Sequence, residues 1–209
     1  MGIYERKQRE KKQRRQEILH AARKVFSNKG YHSATIEEIA LEAELSPGTL
    51  YLYFKNKEEL HTFLSIEILK RLADEIQKVV SQDISVEDKM ERFCDVFIDI
   101  YDYDSNILIN LFHLQSGETL KNLSEDVLKQ IKIYSIMAHG AIADVVKQGI
   151  NQGIFIDEHP AALADIFWAS YCGIVLWVDS KRLLNGEKDF VKPTLKTAFK
   201  IIGNGMKKK

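Results

Sequence analysis

The stretch LSPGTLYLYFKNKEEL, residues 45–60, has the apolar spacing of a helix but not the composition of a core helix. Pro, Gly, Thr and two Tyr stand where Leu and Ala would be expected, and Lys-Asn-Lys-Glu-Glu follows at once. Ser46 reads as an N-cap and Pro47 as the first helical residue, where a missing N–H leaves no bond unmade. On a wheel of about 100° per residue centred on Leu50, Phe54, Pro47 and Ser46 face inward. Gly48, Thr49 and Leu52 face outward, flanked by Tyr51 and Tyr53. Such a face is small and partly apolar, suited to the floor of a DNA groove. There a methyl group meets a thymine methyl and a hydroxyl meets a base edge. The two tyrosine hydroxyls would reach phosphates on either side, with Lys55 and Lys57 beyond them. Lys57 also opens the next helix, whose amino end favours phosphate.

Upstream, TIEE at residues 35–38 is a capping box, with Thr35 as N-cap and Glu38 reaching back. The helix it opens, residues 36–43, has Ile39, Ala40 and Ala43 inward. Two short helices joined by about three residues make a helix-turn-helix. A first helix is predicted over residues 14–28, with Ile18, Leu19, Ala22, Val25 and Phe26 on one face and Gly30 ending it. Residues 4–15, YERKQREKKQRR, have no apolar stripe. They read either as a solvated helical lead or as a basic arm that meets phosphates or a minor groove.

The segments ILHAARKVFSNKGY (18–31) and TIEEIALEAELSPGTLYLYFKNKEEL (35–60) resemble the DNA-binding domain of the tetracycline-repressor (TetR) family of bacterial transcription regulators. The resemblance covers roughly residues 14–61. It implies a homodimer with a three-helix reading head and a helical effector-binding body, acting on a double-stranded DNA operator. The family's DNA contacts fall on Thr35, Pro47, Gly48, Thr49, Tyr51, Leu52, Tyr53 and Lys57. Ser46 and Lys55 complete the candidate set. One departure is Glu44, at a turn position where the family has Gly. A non-Gly residue at positive φ costs energy, so a differently shaped turn is expected there.

Charge agrees with this polarity. The chain of 209 residues is neutral overall, but residues 1–57 hold 12 Lys/Arg against 7 Asp/Glu, leaving the remainder net acidic. Prolines occur only at 47, 160 and 193, and 3.6-residue periodicity dominates, so the fold is expected to be all-α. The head is expected over residues 1–56 and a ligand-binding and dimerisation domain over 57–209. Cys94 and Cys172 lie in apolar helical stretches and read as small hydrophobes. The first 17 residues are charged rather than signal-like, and no stretch reaches about 18 uninterrupted apolar residues, so a cytoplasmic protein with no membrane contact is expected. The six histidines include no pair at helical ligand spacing, and no metalloprotease, nucleophile-elbow or phosphate-loop pattern occurs. No enzyme, metal or cofactor is expected.

In the body, helices are predicted over 57–80, from Ser85, over 106–114, 124–152, from Pro160 to about 183, and over 189–203, where Gly203, Asn204 and Gly205 close it. Phe93, Phe97, Tyr101, Phe112, Tyr134, Trp168 and Tyr171 fall on the body helices. Singly, each is better explained as core packing. The family's internal pocket implies that some of them line a site for a small apolar or amphipathic effector. The resemblance also implies dimerisation through the last two long helices, with Ala169, Gly173, Phe199 and Ile202 as interface candidates. The resulting reading is a ligand-responsive repressor. An activator, or a helical ligand-binding protein with the same head, is the alternative.

Overall fold

In the computed structural model, residues 2–115, 123–185 and 190–208 are described, and among them every regular element is helical. The helices are α1 (Ile3–Lys29), α2 (Ile36–Glu42), α3 (Pro47–Tyr51), α4 (Lys57–Val80), α5 (Val86–Tyr103), α6 (Ser105–Gln115), α7 (Glu125–Asn151), α8 (Pro160–Asn185) and α9 (Val191–Met206). The chain divides into two compact units within α4, Met1–Ile66 and Glu67–Lys209.

The first unit is built by caps around a small core. Ile18, Ala22, Ile39, Ala40, Leu50, Leu60 and Leu64 are fully buried, with Leu19, Phe26 and Phe54 nearly so. Thr35 Oγ1 accepts from the Glu38 N–H and the Glu38 carboxylate accepts from the Thr35 N–H, so the capping box forms. Ser46 Oγ caps α3 by accepting from the Thr49 N–H at 3.1 Å. Asn56, unnoticed in the sequence, caps α4 by accepting from the Glu59 N–H at 2.7 Å. The turn between α2 and α3 keeps its left-handed residue: Glu44 has φ 55°. The Leu45 N–H reaches the Ala40 carbonyl and the Glu44 N–H that of Leu41, the paired bonds of a Schellman ending. The expected change of turn shape does not occur; Glu44 adopts the backbone that Gly would take freely.

Two expectations need correction here, and one open reading is decided. Helix α1 starts at Ile3, so the segment before Arg14 is the solvated helical lead, continuous with the helix predicted over 14–28. It is carried there by ion pairs such as Arg6–Glu10 and Arg14–Glu17 rather than by an apolar stripe. Pro47 and Ser46, expected inward, are exposed, because α3 is only five residues long and its start lies beyond the part its neighbours cover. Helix α9 continues through Gly203 and Gly205 to Met206. Met206 is buried, and the chain after it pairs with the 154–156 strand-like segment (Ile156 N–H to Met206 O and Lys208 N–H to Ile154 O, each 2.8 Å). Tertiary anchoring overrides the low helix propensity of glycine.

In the second unit, α7 packs on α8, and α5 and α8 both pack on α9. Ser85 caps α5, whose residues Val86, Met90, Phe93, Phe97, Ile100 and Tyr101 are buried. Gly149 allows the close approach of Phe155: a Cβ there would lie 2.1 Å from the Phe155 ring. The segment Pro160–Arg182 of α8 has mean hydropathy 1.6, apolar enough to cross a membrane by length and composition. One face of it is core, however, with Ala164, Phe167, Tyr171 and Val175 buried within the unit.

Candidate nucleic-acid interface and effector cavity

The first unit presents the outward surface of α3. Leu50 and Phe54 are buried, whereas Leu52 is 78% exposed, Tyr51 is half exposed, and Thr49 and Tyr53 are half-buried. Thr49 Oγ1 lies 2.9 Å from Ser46 Oγ, so the hydroxyl is already oriented by the cap. Gly48 is open: an added Cβ would meet only Ser46 Oγ, at 3.9 Å, and the backbone there needs no positive φ. Nothing inside the chain therefore requires glycine in this helix, where it costs about 1 kcal/mol relative to alanine.

The surroundings hold this helix in place. Lys24 pairs with Glu42 at 2.6 Å, tying α1 to α2. Lys29 bonds the Glu38 carboxylate and, with the Thr35 backbone, holds its pKa below the usual carboxylate range. The Arg15 guanidinium lies over the Phe54 and Phe63 rings, 4.6 and 4.0 Å from their centroids. Thr35 and Lys55 are exposed at helix ends. Lys57 is placed differently from a free phosphate contact. Its ammonium donates to the carbonyls of Tyr31 (2.7 Å), Ala34 (2.9 Å) and His32 (3.3 Å) and sits over the Tyr31 ring. Its three donors are engaged, and only its backbone N–H faces the α4 amino end. Behind it, His61 packs 4.5 Å from the Tyr31 ring, and burial, with Lys57 adding to it, pushes its pKa down to about 4.

In the second unit the candidate aromatic residues divide. Phe97, Phe112, Trp168 and Tyr171 form one mutually packed cluster, with Phe97 and Tyr171 stacked at 4.3 Å. The Tyr171 hydroxyl donates to the Phe97 carbonyl at 2.9 Å, and burial holds its pKa well above the ordinary tyrosine value. Phe93 and Tyr101 are buried on the inner face of α5, and Tyr134 is half-buried on α7. The open space lies beside this cluster. A cavity of about 360 Å³ between α5 and α9 has an apolar wall that includes Met90, Cys94, Phe167 and Phe199. Its polar rim sets Glu87, Glu91 and Asp95 of α5 against Lys196 and Lys200 of α9 and Lys207 just past its end. Sequence reasoning missed this site, although Glu87, Glu91 and Asp95, and Lys196 and Lys200, recur at the four-residue spacing of a single helix face. Burial pushes the Cys94 thiol up to about 11 and the Cys172 thiol up to about 12, so both are protonated and unreactive at neutral pH. Among the described residues no cluster of His, Cys, Asp or Glu could hold a metal ion.

The four interface candidates also divide. Ala169 and Gly173 are exposed on α8, and Ile202 is half-buried. Phe199 is a correction: it is 6% exposed, stacked on Phe97 and on Phe167 at centroid distances of 5.5 and 5.0 Å, and so belongs to its own subunit's core. Exposed apolar residues on these two helices include Ile166 and Trp177, which continue the row of Ala169 and Gly173 on α8, Leu184 near the end of α8, and Ile201 on α9.

A capped helix-turn-helix on an all-helical chain, with an exposed part-apolar recognition surface and a separate helical unit, defines a DNA-binding transcription regulator. Residues 18–61 match the family described as bacterial regulatory proteins, tetR family. The chain belongs to the TetR family of transcriptional regulators, a non-enzymatic family, and binds DNA through this helix-turn-helix. Among its relatives, the fatty acid metabolism regulator protein of Bacillus subtilis is 24% identical over 147 residues, 70% of this chain and 75% of that protein. The transcriptional activator FasR of Mycolicibacterium smegmatis is 29% identical over 186 residues, 86% of this chain and 76% of that protein. The crystal structure of FadR from Bacillus subtilis in complex with stearoyl-CoA superposes with a TM-score of 0.66 at 19% identity, covering 91% of this chain and 98% of that one.

Proposed function

We propose that the protein is a cytoplasmic, homodimeric repressor released from a pseudo-palindromic operator by an amphipathic acyl effector. Residues 1–56 read DNA, and residues 57–209 bind the effector and the second subunit. The observation that carries the DNA part is Gly48: an open glycine on the exposed first turn of α3, with an outward Leu52 at the other end, leaves room for close approach by a molecule outside the chain. Gly48, Thr49 and Leu52 face the groove floor, and Tyr51, Tyr53, Thr35, Ser46, Pro47 and Lys55 face its phosphate walls. Lys57 contributes its backbone N–H, while its ammonium holds the 31–34 loop. Two such heads meet successive major grooves about 34–36 Å apart.

The dimer forms through the exposed row Ile166, Ala169, Gly173 and Trp177 of α8 together with Ile201 of α9. Small residues in that row permit close helix approach. The effector occupies the α5–α9 cavity, whose volume is within the range of ligand sites. Its apolar part lies against Met90, Phe167 and Phe199, and its anionic part meets Lys196, Lys200 and Lys207. A longer chain would part Phe199 from Phe97 and reach Phe112, Trp168 and Tyr171. The fatty-acid regulator relatives and the stearoyl-CoA complex support this class of effector. Helix α4 starts at the loop-holding Lys57 and continues into the second unit, so a ligand-driven shift of α4 would change the head. Such coupling is reciprocal, and DNA weakens the effector as much as the effector weakens DNA.

FasR, an activator by name, favours one second reading: the same DNA contacts with the opposite transcriptional sign. Gel shifts with DNA from upstream of the protein's own gene, with and without stearoyl-CoA, test the main reading. Release by the acyl-CoA but not by coenzyme A alone is expected. Binding that is insensitive to every acyl chain length rejects the effector, and in vitro transcription from the same fragment separates repression from activation.

A further inference from the structure

We infer that the first three turns of α1 form a second DNA-contacting surface beside α3, with Lys7, Lys11 and Arg14 as phosphate contacts. This deepens the DNA reading and rests on α3 facing the duplex. The amino-terminal segment is not a loose arm: α1 is one helix of 27 residues, and residues 4–14 are exposed throughout. A stretch that buries nothing gains no stability from packing. It is held by local contacts, among them Arg6–Glu10 at 3.0 Å, Arg14–Glu17 at 2.7 Å, Gln13–Glu17 at 3.1 Å and the Gly2 N–H to the Glu5 carboxylate at 3.2 Å.

Lys7, Lys11 and Arg14 recur at i, i+4 and i+7, on one side of that helix. They share a groove with Leu52 and Tyr53, at the end of the α3 recognition surface. Glu10 lines the same groove, but its carboxylate is engaged by Arg6. Lys7 and Lys11 have no ion-pair or hydrogen-bond partner among the described residues, and like charges four apart disfavour an isolated helix. A polyanion alongside removes that repulsion. Lys7 to Arg14 spans about 10 Å of helix axis. That matches roughly three base pairs at about 3.4 Å each, so each half-site would extend about three base pairs past the contacts of α3. The contact is to backbone phosphates, so it strengthens binding to every sequence and adds no base preference.

The test compares the full-length wild type, Lys7→Gln/Lys11→Gln and Leu52→Ala on a selected operator duplex and on a scrambled duplex, by fluorescence anisotropy across a salt series. For the double variant the slope of log K against log salt should become shallower by about 1.8 per bound protomer, two phosphates at about 0.9 each. Its ratio of operator to scrambled affinity should stay at the wild-type value, and its circular dichroism should not change, since both lysines are exposed. An unchanged slope in the double variant, with Leu52→Ala still losing operator preference, overturns the α1 contact and leaves the α3 reading standing. A wild type that binds neither duplex, or a Leu52→Ala variant indistinguishable from it, overturns both.

Discussion

The two units differ in where they leave apolar surface uncovered. In the first, Leu52 and Tyr51 are exposed on the α3 surface above a buried Leu50 and Phe54, and Leu41 of α2 and Tyr4 of α1 are exposed as well. In the second, Ile166 and Trp177 are exposed at helical spacing along α8, Ile201 is exposed on α9 and Ile133 and Ile136 on α7, while the cavity opens between α5 and α9. The first unit meets one kind of partner and needs one surface. On the proposed reading the second holds a second copy and admits a ligand, through the exposed α8 row and the α5–α9 cavity respectively. An exposed aromatic residue therefore means different things in the two units, and burial within one chain sorts them.

A charge placed in the exposed row of α8 should have the largest effect. Trp177→Glu should leave the helical content intact, because the side chain is mostly exposed, yet give a monomer in sedimentation. Operator affinity should fall by about 100-fold or more as the second half-site loses its effective concentration. A Trp177→Glu dimer would move the interface elsewhere. Phe199→Ala sharpens the same contrast from inside. Losing a side chain stacked on Phe97 and Phe167 should cost about 3–5 kcal/mol of stability in urea unfolding, without selectively changing the oligomeric state. A small loss of stability with dissociation would return Phe199 to the interface.

The first unit should respond to pH through His61. Its folded pKa of about 4 lies below the ordinary value of 6.5, so the unfolded chain takes up the proton first. The stability associated with a neutral His61 is fully present above about pH 6.5 and is lost as pH falls towards 4, by about 3 kcal/mol in all. His61→Phe should flatten that part of the pH–stability curve, and an unaltered curve assigns the loss to other groups. Gly48→Ala should be smallest in stability but opposite in sign for function. It should stabilise the helix by up to about 1 kcal/mol while weakening operator binding. Tighter binding by Gly48→Ala would mean that no surface approaches α3 closely.

The first unit was legible because its signals are local. The capping pair Thr35 and Glu38, the Ser46–Pro47 start and the buried Leu50 and Phe54 all act within a few residues, and each forms as the spacing implies. One of its features stayed open in the sequence and one was not legible. Whether residues 4–15 are helical depends on exposed ion pairs, which hydrophobic periodicity does not register. The Lys57 ammonium reaches carbonyls 23 to 26 residues away, so its position at a helix amino end suggested solvent instead. In the second unit, helix positions followed from caps and periodicity, and Gly153, just past the end of α7, has a positive φ. The cavity did not follow, because Met90 and Phe199 come from segments more than a hundred residues apart. A helical wheel shows that Phe199 is inward without showing whether inward means its own subunit or a partner.

The central claim is that the outward surface of α3 reads base pairs. The most direct measurement is the affinity of wild type, Thr49→Ala and Leu52→Ala for a full set of single-base-pair operator variants at one salt concentration. The account predicts that each substitution removes discrimination at one or two particular positions, by about 1–3 kcal/mol, and leaves the others unchanged. A uniform loss of affinity across all positions, or no change at any, would contradict it.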